Sequence, residues 1–347
     1  MRKTLMFILG IIIISFIIPI FFTDAKMQEV ISSVTDMNGE LVSNQEQAIE
    51  QKQEQVNAPI KYEYSKYNTI KLLHSKTNEI QEVNLDEYLL GVVSAEMPAN
   101  FEIEALKAQA LVARTYTIYT IIQNVGKHGD ANICDSSACC QAWISKEDRM
   151  NRWEEAEREG NWNKITEAVN TTVGKIITYN GEPINAFFHS NSGGTTEIPL
   201  NVWGGSGYPY LQVVEISGEE NYSQYASEAE VLKDELISKI KEKHNEIVID
   251  WESEKPVEIL EYTDSGRVRT VRFGNVNLSG VETRNLLGLR SANFNVEVSG
   301  EKVKFTVKGY GHGVGLSQTG SDSLAKQGKN YEEIVKHFYQ GIEIVNY

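Results

Sequence analysis

One carboxylate, one cluster of thiols and two loops rich in glycine and hydroxyls carry the chemistry open to this sequence. Glu96, in "GVVSAEMPAN" (91–100), follows Leu85, Leu89 and Val92 at intervals of four, three and four, which is one face of a helix. Pro98 ends that helix, because the residue before a proline is driven out of the helical region. Glu96 is therefore expected on an apolar stripe in the last turn, where the carbonyl end of the helix also disfavours negative charge. Both effects raise a carboxyl pKa. A general acid working near neutral pH needs that environment.

The cysteines lie in "KHGDANICDSSACCQAW" (127–143), where His128, Cys134, Cys139 and Cys140 follow one another at intervals of six, five and one. Zinc takes four such ligands tetrahedrally, and a closed Cys₃His set leaves no position for water, so the site would be structural. The spacing is not that of a standard finger. A disulfide from Cys134 to Cys139 or Cys140, with one thiol left free, is the equal alternative.

"HSNSGGTTE" (189–197) packs short hydroxyls, an amide and two glycines after "PINAFF", a run read as a strand. Such a loop lets its backbone approach a ligand closely. Trp203 follows in "VWGG", and polar donors beside an exposed tryptophan suit a sugar. "GYGHGVGLSQTG" (309–320) sets five glycines around His312 and opens a helix at Ser317. It lacks the lysine and spacing of a phosphate loop, and its lone histidine reads as a hydrogen-bonding or orienting residue. His189, Ser190, Ser192, His312 and Gln318 are expected to line one cleft with Glu96, with Trp203 nearby.

The elements that must position these groups read as α+β: mixed helices and short antiparallel strands around an open cleft. Runs at 67–73 and 79–83 form a strand pair turning at 76–78. After the Glu96 helix, a second helix over 101–122, with Asn100 as N-cap, is mostly aliphatic; Gln109 and Arg114 face either solvent or the cleft. Residues 227–244 read as an amphipathic helix with Val231, Leu232, Leu236 and Ile240 on its apolar side. Strands are expected at 267–273, after the turn Asp264-Ser265-Gly266, and at 301–307. A helix over 331–340 and a strand over 342–345 close the chain.

Ahead of residues 60–347, which hold all 16 tyrosines and 5 tryptophans, Met1-Arg2-Lys3 precedes an uncharged apolar run, Thr4 to Phe22. That run is about as long as the ~20 residues that span a bilayer, and the basic pair favours a cytoplasmic N-terminus at 1–3. A retained anchor is the reading preferred over a cleaved signal peptide. Residues 23–59, rich in Gln and Glu, read as a flexible stalk. The formal net charge of −15 excludes a nucleic-acid binder and a domain lying flat on an anionic membrane.

"EYLLGVVSAEMPANFEIEALKAQALVARTYT", "AVNTTVGKIITYNGEPINAFFHSNSGGTTE", "YPYLQVV" and "GYGHGVGLSQTG", in this order, resemble the stage II sporulation protein D family of endospore-forming bacteria. The resemblance covers residue 60 to the end, with no family motif in 215–255. It implies a membrane-anchored lytic transglycosylase that cleaves peptidoglycan strands, especially peptide-stripped ones, during forespore engulfment, from the mother-cell membrane facing the forespore. The implied partners are an amidase/endopeptidase and a membrane scaffold of the same stage. The implied catalytic acid falls on Glu96. Some clostridial members bind zinc through a His…Cys…His-Cys set; His128, Cys134 and Cys140 match three positions, and Cys139 stands at the second histidine. One structural zinc per chain is the resulting expectation. A lytic transglycosylase needs a single carboxylate, whereas an ordinary glycosidase needs two. The rival is a non-enzymatic glycan-binding activator of a partner amidase. A zinc amidase using His189 or His312 fails on ligand count.

Overall fold

The computed structural model describes residues 64–123 and 126–347. The anchor expected over 4–22 and the stalk over 23–59 lie outside the described residues. Among the described residues, no helix is long and apolar enough to cross a membrane.

Strands β1 (Thr69–His74) and β2 (Glu79–Asn84) form the expected antiparallel hairpin, turning through Asn78 at φ 59°. Asn84 then caps helix α1 (Leu85–Glu96), its side chain accepting from the Asp86 and Glu87 amides at 2.8 and 3.4 Å. Helix α2 (Ile103–Gln123) follows, buried around most of its circumference, as expected of a helix that is apolar all round. Its N-terminus is not capped by Asn100. The Glu102 amide donates instead to the buried Asp322 carboxylate at 2.6 Å, a contact that also complements the positive end of the helix dipole.

The chain continues through β3 (Ile133–Cys134), α3 (Lys146–Arg152), α4 (Arg158–Thr171), β4 (Lys175–Tyr179), β5 (Glu182–Pro183), β6 (Phe188–His189) and the single turn α5 (Pro199–Trp203). "PINAFF" is therefore not one strand: Pro183 ends β5, Phe188 opens β6, and 184–187 lie between them outside any strand. The last segment comprises β13 (Leu316–Ser317), α8 (Gln318–Lys326), α9 (Tyr331–Phe338) and β14 (Glu343–Asn346). These close back on the first half. Helices α1, α4, α8 and α9 and strand β4 all pack on α2. Pairing of β14 with β4 and of β13 with β6 joins the C-terminal segment to the middle of the chain. The β6–β13 and β1–β3 pairs are parallel, so the strands are not all antiparallel.

Between these halves, residues 226–308 build a core of their own from β7 (Ala226–Leu232), α6 (Lys233–Lys241), β8 (Val257–Tyr262), β9 (Val268–Phe273), β10 (Val276–Ser279), α7 (Gly280–Leu287), β11 (Asn293–Ser299) and β12 (Lys302–Lys308). They form two three-stranded sheets, β10-β9-β8 and β11-β12-β7, around Val271, Phe273, Phe294, Val303 and Phe305. The helix expected over 227–244 is strand over its first third. Residues 226–232 alternate between outward and inward positions and pair with β12, which outweighs their helix propensity. Only Leu236 and Ile240 keep the helical spacing as a buried pair, and Leu232 is exposed.

Candidate active site

Glu96 is the last residue of α1. Leu85, Leu89 and Val92 on the same face are fully buried, and Glu96 is half-buried where that face meets the cleft. Its Oε1 accepts the Ala142 amide at 2.7 Å and its Oε2 the Gln318 side-chain amide at 3.2 Å. Burial raises its pKa, and these two bonds pull it only part of the way back. Gly91, one turn earlier, explains how Ala142 comes so near. A Cβ there would collide with the Trp143 indole and lie 2.7 Å from the Ile144 carbonyl. The missing side chain lets this segment lie directly on α1.

Two cavities flank Glu96, of about 640 and 460 Å³, and both are lined by Glu96, Ser190 and Gln318. The first runs past Arg149, Trp153, Glu157 and Asn161. The second runs past Tyr116, Phe187, His189, Arg284, Tyr310 and His312. Together they make one cleft with the acid near its middle. Gln318 owes its position to α8, whose N-cap Ser317 accepts the Gly320 amide and leaves Gln318 in the first turn facing Glu96.

The two histidines stand side by side with ring centroids 5.6 Å apart. His189 Nδ1 lies 3.1 Å from the Val314 carbonyl and so carries the proton; the buried Nε2 is a free acceptor. His312 Nδ1 accepts the Val314 amide at 3.0 Å. Burial, reinforced by the positive charge of Arg267, pushes His189 down to about 3. Burial and then the neighbouring His189 lower His312 well below its ordinary value. Both are neutral hydrogen-bonding groups at physiological pH. No third ligand joins them in a metal-binding group among the described residues.

Ser192 does not reach the cleft. It is fully buried, and its hydroxyl and amide both bond to Glu219. Glu219 also accepts from Ser317, Thr319 and the Gly194 amide. One carboxylate thus ties the 189–197 loop to the 309–320 loop, which also pair directly at Asn191 and Tyr310. Trp203 is 52% exposed at the rim, packed at a tilt against Phe187 and His312 with ring centroids 4.7 and 5.0 Å away. Gln109 and Arg114 face neither solvent nor cleft. Both are buried in the core, where Arg114 pairs with Asp86 at 2.5 Å.

A second set of buried charges braces the loops from behind. The Glu197 carboxylate accepts from Thr263, Ser265, Asn201 and the Ile198 amide. Burial pushes its pKa up, but these donors outweigh burial and hold it below the usual range. Arg267 sends its guanidinium to the Thr195 and Ser192 carbonyls at 2.9 and 2.8 Å. A Cβ on Gly313, at φ 83°, would strike that guanidinium. The turn at 263–266 thus plugs region 226–308 into the underside of the loops.

His128, Cys134, Cys139 and Cys140 come together with all ligand atoms within 4.8 Å of one another. His128 Nε2 is 3.2 Å from Cys140 Sγ and 3.9 Å from Cys139 Sγ, and the vicinal sulfurs are 4.0 Å apart. A tetrahedral ion with ~2.3 Å bonds sets sulfurs about 3.8 Å apart, so the four groups fit zinc. All three thiols are free, which is against the disulfide, whose sulfurs bond at about 2.05 Å. Cys140 also lines the second cavity, and Ala142, two residues on, donates to Glu96.

Sequence reasoning missed Ala142, Glu219, Arg267 and Arg284. Ala142 acts through its backbone and leaves no mark in residue type. The other three are charged residues in segments without a motif. Only the intervening Gly266 turn hinted that the 263–267 tip was shaped for a contact.

This is an α+β protein in which one half-buried acid stands between two cavities, held by a loop with a Cys₃His cluster. The sequence pattern of the family described as SpoIID, stage II sporulation protein, matches residues 73–179. Stage II sporulation protein D of Bacillus subtilis (strain 168) is 35% identical over 277 residues, covering 80% of this chain and 78% of that one. That of Bacillus amyloliquefaciens is 34% identical over 278 residues, with the same coverage. The amidase enhancer of Bacillus subtilis (strain 168) is 27% identical over 308 residues, 75% of this chain and 40% of the relative. The chain belongs to the stage II sporulation protein D family.

Proposed function

We propose that the chain is a peptidoglycan lytic transglycosylase acting in sporulation, with Glu96 as its single acid–base residue. The observation that carries this reading is the position of Glu96 on the wall of both cavities with its pKa raised by burial. Glu96 protonates the glycosidic oxygen and the C1–O bond breaks. The 6-hydroxyl of the same muramic acid then attacks C1, and its proton returns to the Glu96 carboxylate. No water is consumed, and the product ends in a 1,6-anhydro ring.

Gln318 suits both states of the acid. Its NH₂ donates to the carboxylate, and its carbonyl, after a flip, accepts from the protonated form. The Ala142 amide holds the other oxygen in place throughout. His189 and His312, both neutral, and Ser190 supply an acceptor and donors for hydroxyl and N-acetyl groups, and Trp203 offers a ring face at the rim. The Glu157 carboxylate in the first cavity is exposed, a poor setting for a second catalytic group. His128, Cys134, Cys139 and Cys140 would hold one zinc as a closed structural site. When bound, zinc fastens the loop from which Ala142 reaches the acid.

Residues 4–22 would anchor the chain in the mother-cell membrane, with the stalk 23–59 and the domain from residue 60 outside the cytoplasm facing the forespore. An amidase/endopeptidase and a membrane scaffold of the engulfment machinery would be its partners. The relative named amidase enhancer favours a second reading, a glycan-binding activator of an amidase. Mass spectrometry of peptide-free strands incubated with the purified chain separates them. Anhydro termini, one water lighter than hydrolysis products, are expected. Uncleaved strands with a stimulated amidase would establish the activator instead, and reducing ends with loss of activity in Glu157→Gln would establish a hydrolase.

A further inference from the structure

Arg284 stands on α7 of region 226–308 and reaches the second cavity from the side opposite the core helices. It is half-buried, and its Nε meets only the Leu289 carbonyl, at a long 3.4 Å. Among the described residues no carboxylate lies within ion-pair distance of it. The other buried cations are differently placed. Arg114 has Asp86, Arg267 has three carbonyl and hydroxyl acceptors with Glu197 and Glu219 in Coulomb range, and Arg149 in the first cavity lies over the Trp153 ring. The neighbours of Arg284 in the cavity do not neutralise it. His189 and His312 are uncharged, and Glu96 must be protonated to act. The loaded cavity therefore carries one uncompensated positive charge in a chain of net charge −15.

A half-buried guanidinium without a partner is costly, and an anion of matching planar shape removes that cost through paired charge-assisted hydrogen bonds. If the cleft takes glycan, as proposed above, the available anions on the sugar backbone are few. The backbone's only charges are the lactyl carboxylates of muramic acid, and these exist only where the stem peptide has been removed; where it is attached, the same carbon is a neutral amide. We propose that Arg284 binds the free lactyl carboxylate of a muramic acid in the second cavity and so selects peptide-stripped strands. The selectivity then resides in region 226–308, away from the acid.

The inference rests on the glycan reading of the cleft, and a binding measurement separates the two. The full chain carrying Glu96→Gln is titrated with peptide-free strands, with the same strands amidated at the lactyl carboxylates, and with peptide-bearing strands. Free-acid strands should bind about tenfold more tightly than amidated ones, the scale of one charge-assisted contact. Adding Arg284→Gln should bring that ratio close to one, while Arg284→Lys should keep part of it, with thermal melts verifying the fold. Equal affinity for free-acid and amidated strands, or a ratio that survives Arg284→Gln, overturns the proposal. So does an Arg284-dependent preference for peptide-bearing strands, which would move the bound carboxylate to the peptide. If the ratio behaves as expected but the unsubstituted chain cleaves no strand, the enzymatic reading fails and this one stands. If no strand binds at all, both fail.

Discussion

In the part of the chain that forms the cleft, three carboxylates are taken inside and given donors; in residues 226–308 carboxylates stay on the surface opposite lysines and arginines. Glu219, Glu197 and Asp322 are buried and hydrogen-bonded. Glu230 and Glu228 pair across the β7–β12 surface with Lys302 and Lys304, and Glu258 and Glu261 with Arg272 and Arg269. The difference teaches where rigidity is required. A buried carboxylate that loses its donors leaves an unpaired charge, so its geometry is strongly enforced. An exposed pair is screened and replaceable. The interior network fixes two loops against one acid, while the surface ladder decorates a sheet whose own core already holds it.

Five substitutions, a pH profile and a chelation would break or sharpen that contrast. Glu96→Gln should lower strand cleavage by about 10³-fold while leaving a folded protein, read by anhydro-product mass spectrometry beside circular dichroism. Cleavage by the unsubstituted chain should decline as pH rises through the raised Glu96 pKa, because the acid form is lost. The same shift has a sign for stability. A carboxyl whose folded pKa lies above its unfolded value, near 4.5, binds more protons when folded, so stability falls as pH rises across that window. Glu96→Gln should therefore gain in melting temperature relative to the unsubstituted chain as pH rises from the ordinary carboxyl value of 4.5 through the raised Glu96 pKa.

Next in size is the metal. Purified protein should contain one zinc per chain by elemental analysis. Chelation or Cys140→Ser should lower the melting temperature by roughly 10 °C or more, since ligand assembly is folding free energy. Metal-free protein with one reactive thiol would instead establish the disulfide. Arg267→Ala should cost about 3 kcal/mol in urea unfolding and reduce activity with it, because the Thr195 and Ser192 carbonyls lose their donor and Glu197 a compensating positive charge. Loss confined to region 226–308 in hydrogen exchange, with the loops unaffected, would contradict the bracing role. Gly91→Ala should cost about 2 kcal/mol by overpacking against Trp143 and lower turnover more than substrate binding, because Ala142 is displaced from the acid. Lys302→Ala, on the exposed ladder, should shift the melting temperature by no more than its experimental error.

What was legible in the sequence follows the same division. Helix α1, its stop at Pro98 and the burial of its stripe are readable because periodicity and a proline act locally, and they put Glu96 in the right environment. The glycine-rich runs announced loops that come close to something, though not to what. The Cys₃His set can be assembled on paper, and its ligand atoms do lie within 4.8 Å of one another, but residue types alone weigh metal and disulfide equally. The sequence misplaces Ser192 because a hydroxyl in a polar loop looks the same whether it faces a ligand or a buried Glu219 27 residues on. Residues 227–232 read as the start of a helix over 227–244 because their partner, β12, lies about seventy residues away, and pairing across that distance has no local signature. Asp322 capping α2 from more than two hundred residues away is invisible for the same reason.

A cleft that continues past Glu96 on both sides would, for the proposed transglycosylase, fix where along a polymer the cut can fall. Sugars would occupy positions before and after the reacting bond, so scission would be internal and chain ends poor starting points. Each early cut would then shorten a strand without releasing small fragments. Mean strand length, and with it the tension a wall can bear, would collapse well before soluble sugar appears, so the mechanical yielding of the wall would run ahead of its chemical loss.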